Sequence, residues 1–342
     1  MQLGWKGTTV SPAVTVAFLA ALILPPAASA EDSNAYVMKL STATINDHQH
    51  EWLKRFAASV EKDSGGRIKA EIYPSSQLGS IPRQIEGVQF GSIQGWIGPP
   101  EFLVGIDQRY ETLSAPGLFA NQLQAVRTTS GPLVRDLMLG LGAGKGLIGA
   151  GLYSVGPSSI ITRYPVRHLA EFKGLKIRVL ASPFQSELIK RLESSPVAMT
   201  LGDVLPALQQ GAIDGALGTM SIYTTMHYQD AAKYITETGQ PWINIIALLS
   251  KKWFDGLPED LQKVVRADAM AVSAQIVPFV NDFFAAQRKA WTDSGGELIS
   301  LPTAEQEAMI ARISSIGDDL SKDKPDLNKA VTLVFESAAR NK

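Results

Sequence analysis

The chain has 342 residues, a formal charge of −1 and no cysteine, with 45% hydrophobic residues. Nearly balanced charge gives no long-range field to attract nucleic acid or an anionic membrane, and the lack of thiols excludes disulfides, cysteine nucleophiles and a lipid-carrying cysteine. The core must come from apolar burial alone, and a chain of this length divides it between two lobes, because single cores stop growing near about 250–300 residues.

The first residues read as an export signal. Lys6 is the only charge before Glu31, Ala13 to Leu24 is apolar except for Thr15, and Ala28-Ser29-Ala30 offers small residues for cleavage. The apolar run is too short to span about 30 Å of hydrocarbon, so 1–30 is expected to be a removed signal peptide and the mature protein to be periplasmic. No later stretch approaches 18 uncharged apolar residues, so the rest is expected to be soluble.

Strand and helix patterns then alternate. "YVMKLST" (36–42) alternates apolar and polar and predicts a strand. Residues 50–66 predict a helix with Trp52, Leu53, Phe56 and Val60 on one face, stopped by Gly65-Gly66. "RIKAEIYP" (67–74) predicts a strand, and a helix follows with Pro82 in its first turn. "QGWIGPP" reads as a short strand and loop, and residues 144–157 carry another strand. In the second half "GLKIRVL", "SPVAMT" and "PWINIIALLS" predict strands, with helices between them. Residues 259–292 form a long helical stretch, with the stripe Leu261, Val264, Val265, Ala269, Val272, Ile276, Phe279, Phe283 and an expected kink at Pro278. The tail 303–340 is helical with an expected break at Pro325. The expected class is α/β, with parallel sheets covered on both faces by helices.

Catalytic and cofactor motifs fail on spacing. "GLGAGKG" (140–146) places its glycines too close to Lys145 for a phosphate loop and follows the lysine with glycine. His48 and His50 sit two apart with no further ligand set, so no metal is expected. No Gly-x-Ser-x-Gly elbow occurs. The chain is read as a binding protein rather than an enzyme, with no cofactor. Recognition chemistry remains at Arg178, in "FKGLKIRVL" (172–180). A buried guanidinium needs a partner, and it takes either an internal carboxylate or one from outside.

Five stretches in order resemble the solute receptors of TRAP (tripartite ATP-independent periplasmic) transporters of the dicarboxylate-receptor type. They are residues 65–100, "APGLF" (115–119), "FKGLKIRVLASP" (172–183), "VLPALQQGAIDG" (204–215) and "LLSKKWFDGLPEDLQ" (248–262). The resemblance implies a two-lobed periplasmic binding fold with the ligand between the lobes and a long helix along both. It implies lobe I from 31–155 plus 244–283, lobe II from 156–243 plus 284–337, and a tail at 338–342. It implies that Arg178 grips a ligand carboxylate, that TRAP permease subunits in the membrane are the partner, and that nucleic acid is not. Monomer and homodimer both stay open.

The chain departs from the family pattern twice. A second arginine is common in a "G-F-R-H" stretch before the motif, but the corresponding position is Pro157. A polar run after the Asp-Gly of 214–215 is replaced by Ala216-Leu217-Gly218-Thr219. The expected ligand is therefore an organic monocarboxylate with an apolar or aromatic body. The alternative is a hydroxylated sugar acid or dicarboxylate, or a receptor feeding a sensor system. Trp96, Phe102, Phe184, Met220, Tyr223 and Trp242 are available as walls, some serving the core instead. The remaining candidates are Gln77, as ligand donor or helix cap, Ser158 and Ser159 in place of the missing arginine, Leu217, Thr219, Asn244, and His48 or His50 at the mouth.

Overall fold

The first strand of the chain, β1 (Tyr36–Ser41), buries Met38 and Leu40 and lies parallel to β2 (Ile68–Tyr73), register Tyr36 to Ile68. This computed structural model describes residues 35–342 and, ahead of them, Met1, Gly4, Gly7 and Thr8; the expected signal peptide lies outside the described residues. Further strands are β3 (Gly95–Gly98), β4 (Leu147–Pro157), β5 (Ser159–Thr162), β6 (Lys176–Val179), β7 (Ser195–Ala198), β8 (Gly215–Gly218), β9 (Tyr234–Thr236), β10 (Trp242–Ser250) and β11 (Glu297–Ile299). They form a five-stranded sheet in the order β2-β1-β3-β10-β4 and a six-stranded sheet in the order β11-β9-β5-β8-β6-β7.

The sheets are mixed, which corrects the expectation of parallel pairing throughout. β10 runs antiparallel to β3 and β4, and β5 runs antiparallel to β8 and β9. The cause is the path between sheets. β4 leaves the first sheet and continues into β5 of the second after Ser158 alone, while β9 returns to the first sheet through β10. A chain that goes out and comes back side by side must pair antiparallel.

The helix His48–Asp63 starts where Asp47 accepts from the backbone N–H groups of Gln49 and His50, at 3.1 and 3.0 Å. It buries Trp52, Leu53, Phe56 and Val60, the face expected from spacing. The long helix Glu259–Asp293 buries Leu261, Val265, Ala269, Val272, Ile276 and Val280 on the first sheet's core. Its far end places Trp291 in a cluster with Ile161 and Ile235 of the second sheet. The helix therefore binds to both sheets. By length and composition it is apolar enough to cross a membrane, although Asp268 and Asp282 interrupt its uncharged run; its apolar stripe is covered by the first sheet and by helix His48–Asp63.

One proline expectation changes and one holds. Pro278 does not interrupt the helix. Both Pro278 and Ala274, whose carbonyl loses its bonding partner there, are exposed, so water satisfies that carbonyl. The helical tail does break at Pro325: one helix ends at Ser321 and Pro325 starts the helix Pro325–Arg340, since a first-turn residue has no intrahelical N–H bond to lose. This last helix gives Leu327 and Val331 to a cluster with β6 residues, and Val334 and Ala338 to a cluster with β10 residues. The expected lobe II segment 284–337 thus packs partly with first-sheet elements.

Candidate functional site: a cavity between the two sheets

β6 positions the central charge. Ile177 and Val179 point to one core and are fully buried. Alternation sends Arg178 to the opposite face, between its register partners Val197 of β7 and Ala216 of β8. Arg178 is only 4% exposed. Its Nε donates to the carbonyl of Met199 at 3.1 Å, and Nη1 reaches the carbonyl of Leu217 at 3.4 Å. These are neutral acceptors, so the guanidinium keeps its charge without an ionic partner. Burial pulls its pKa below the ordinary arginine value, while Tyr228, Tyr223 and Glu101 act in the other direction.

Glu101 is the carboxyl whose charge Arg178 feels, yet it is no counter-ion. It is buried, and neither carboxyl oxygen has a hydrogen-bond partner. Burial pushes it up to about 8, against the weaker pull of Arg178. Near neutral pH it is mostly protonated. Glu111 lies nearby, accepts from Ser182 Oγ at 3.3 Å and from Phe184 N–H at 3.2 Å, and is pushed up to about 7 by burial.

The cavity in front of Arg178 leaves about 50 Å³ for the centres of water-sized atoms. Trp96, Gly98 and Pro99 of the β3 segment form one wall, with Thr44, His48 and Gln49 beside them. Arg178, Leu180, Leu217, Thr219, Tyr223 and Tyr228 form the other. Among the described residues, no Asp or Glu lines it. A single buried cation with no anion on the wall suits one negative charge from outside.

Of the residues expected from sequence, Arg178, Trp96, Leu217 and Thr219 meet at this cavity, with Phe102 and Tyr223. Phe184 and Met220 are instead buried in the second sheet's cores. Trp242 packs edge-on against Phe119, ring centres 6.0 Å apart. Asn244 is buried and donates from Nδ2 to the carbonyl of Leu113 at 3.1 Å. Ser158 is buried at the crossing between β4 and β5, off the cavity wall, and its Oγ has no partner. Gln77 is exposed in the turn after β2, and its side chain does not cap the helix Ile81–Phe90. His50 is half-buried and accepts from the Asn46 N–H at 3.2 Å. His48 takes the wall position instead, 3.0 Å from Tyr153 Oη, and burial lowers its pKa, so it is neutral at pH 7. Pro157 lines a separate hollow with Trp242, Phe284 and Arg288.

Sequence reading missed Gln49, Thr44 and Tyr228. The signal for Tyr228 was faint. It follows His227, which sits at φ 55°, a left-handed conformation that histidine rarely adopts. That turn swings Tyr228 inward, where it is 1% exposed.

Residues 41–323 match the bacterial extracellular solute-binding protein, family 7, called DctP. The chain belongs to that family. It is a TRAP receptor of the DctP type, from a family that is extracellular or periplasmic and serves transport. It is 28% identical over 241 residues to the uncharacterized protein YiiZ of Salmonella typhimurium, covering 70% of this chain and 73% of that one. It is 27% identical to the 2,3-diketo-L-gulonate-binding periplasmic protein YiaO of Escherichia coli, over 65% of this chain and 68% of that one. Among solved structures, a TRAP periplasmic solute binding protein from Desulfovibrio salexigens with bound orotic acid aligns with a TM-score of 0.85 at 22% identity, covering 90% and 100% of the two chains. One from Xanthobacter autotrophicus Py2 with bound β-D-galacturonate aligns at 0.81 and 24% identity, covering 87% and 99%. These structural neighbours share the two-lobed α/β fold.

Proposed function

We propose that this DctP-family receptor captures an organic monocarboxylate through Arg178 and delivers it, in the periplasm, to the membrane subunits of a TRAP permease. The observation that carries the reading is a buried guanidinium, facing a cavity, whose hydrogen bonds go only to carbonyls. A ligand carboxylate offers the two charge-assisted bonds that those carbonyls cannot. The named ligands of the relatives and neighbours, orotic acid, galacturonate and diketogulonate, are all carboxylic acids, which agrees with this reading. One lobe is built on the sheet containing β3 and the other on the sheet containing β6. Ligand closes them over itself, and the permease reads the closed form.

A second reading, a hydroxylated sugar acid, is favoured by the galacturonate and glucuronate held by several structural neighbours. A thermal-shift panel separates the two: stabilisation by ring acids with apolar bodies supports the first, and stabilisation by uronates alone supports the second. Arg178→Ala should weaken binding of the stabilising acid by about 30- to 4,000-fold, the usual effect of truncating one partner of a buried charge pair. Calorimetry showing unchanged affinity in a folded variant refutes the Arg178 assignment.

A further inference from the structure

The buried aromatic donors of this chain divide into two groups. Tyr110 Oη donates to the carbonyl of Leu141, Tyr223 Oη to that of Ser159, and Trp52 Nε1 to Ser273 Oγ. Tyr153 Oη pairs with His48. Tyr228 Oη and Trp96 Nε1 are enclosed and have no hydrogen-bond partner, and both residues line the cavity with Arg178. Each is 1% exposed. A buried donor left unpaired is costly, and a site that holds two of them is built for a ligand that satisfies them.

The two donors come from opposite sides. Trp96 is on β3 of the first sheet. Tyr228 stands with Arg178 on the second-sheet side, and its phenol lies within electrostatic reach of the guanidinium. Burial pushes that phenol up to about 12, so it keeps its proton at neutral pH. An indole N–H can only donate. The wall's polar oxygens already have partners: Gln49 Oε1 accepts from Thr42, Thr44 Oγ1 donates to Asp47, and Thr219 Oγ1 pairs with Ser221 Oγ. Ligand hydroxyls would find few acceptors there.

We infer that Tyr228 joins Arg178 on the ligand carboxylate, while Trp96 donates to a second acceptor on the ligand body, so that the ligand is an oxo- or aza-substituted acid spanning both sheets. This rests on the proposed function and names the ligand class of the same site. The loss of polar residues after Gly215 and the donor excess on the wall then have one explanation: the site reads acceptor atoms, not hydroxyls.

The test uses calorimetry with three probes, orotate, benzoate and D-glucuronate, on the wild type, Tyr228→Phe, Trp96→Phe and Arg178→Ala. Tyr228→Phe keeps the ring and removes only the donor; Trp96→Phe removes the indole N–H together with part of the ring, and benzoate, which has no second acceptor on its body, controls for the change of shape. Orotate should bind wild type more tightly than benzoate or D-glucuronate. Tyr228→Phe should weaken orotate and benzoate alike, by about 5- to 150-fold, and Trp96→Phe should weaken orotate by a similar factor and leave benzoate within about twofold. Unchanged orotate affinity in Trp96→Phe, unchanged affinity in Tyr228→Phe, preference for D-glucuronate, or no binding by any probe overturns the inference. If Arg178→Ala abolishes binding while both phenylalanine variants bind normally, this inference alone fails; if Arg178→Ala binds normally, the parent reading fails.

Discussion

Arg178 is held in place by backbone carbonyls that orient the guanidinium without neutralising it. Its charge is thereby kept available, at a cost that ligand binding offsets. Gly98 does comparable work for Trp96. A Cβ there would lie 2.3 Å from Cζ2 of the Trp96 indole, so only glycine leaves the ring its place on the wall. Gly98→Ala should move the indole and weaken acid binding at least about tenfold, near 1.4 kcal/mol, which calorimetry and a shifted tryptophan emission would report. The buried acids set a pH dependence. With Glu101 at about 8 and Glu111 at about 7, against an ordinary 4.5, the folded chain holds protons that the unfolded chain has released. Unfolding free energy therefore falls as pH rises from about 4.5 toward 8. His48 works in the opposite sense: its folded pKa is lowered from 6.5, so its contribution is lost as pH drops below that value. Glu101→Gln should lose less stability than wild type between about pH 5 and pH 8 in urea titrations; parallel pH profiles would refute this.

The long helix is the element that ties the two sheets together. Its contact with β4 depends on Gly151, where a Cβ would meet Ser273 Oγ at 2.2 Å and Trp52 at 3.1 Å. Ser273 in turn accepts from Trp52 Nε1 at 3.0 Å and donates to the carbonyl of Ala269 at 2.8 Å. Ile276, fully buried one turn further along, should destabilise the fold by about 2–5 kcal/mol when cut to alanine, measured as a lower urea midpoint. Ser273→Ala leaves a buried indole N–H unpaired and should cost about 1–3 kcal/mol by the same measurement. Most of this element was legible. The stripe from Leu261 to Ile276 follows helical spacing, and those positions are buried except for the half-buried Val264. Phe279 and Phe283 are only half-buried: they stack on each other, 5.6 Å between ring centres, with Phe279 against the margin of the first sheet's core. Periodicity tells which side faces inward, but where the covering sheet ends depends on another part of the chain.

At the scale of the molecule, the second sheet is assembled from strands far apart in sequence, and β5, β8 and β6 come together only because the chain crosses between sheets. The cavity lies between those sheets, so its two walls have no fixed spacing in the sequence. A saturating acid should stabilise the closed protein by about 2.7 kcal/mol at a hundredfold excess over Kd, and Arg178→Ala should show no such shift in melting temperature.

The sequence by itself determined the order of strands and helices, the apolar faces, the family motifs and the lone arginine in "GLKIRVL", because each is written in local spacing. It placed Arg178, Trp96, Leu217 and Thr219 at one site through motif resemblance. Only the tertiary structure decided that Trp242 and Asn244 are buried away from the cavity, that His48 rather than His50 faces it, and that Tyr228 joins Arg178. Those outcomes depend on which side chains find partners once the sheets come together: Asn244 finds the Leu113 carbonyl, whereas Tyr228 and Trp96 find none. Hydrogen-bond satisfaction is a property of the packed whole, and no local pattern encodes it.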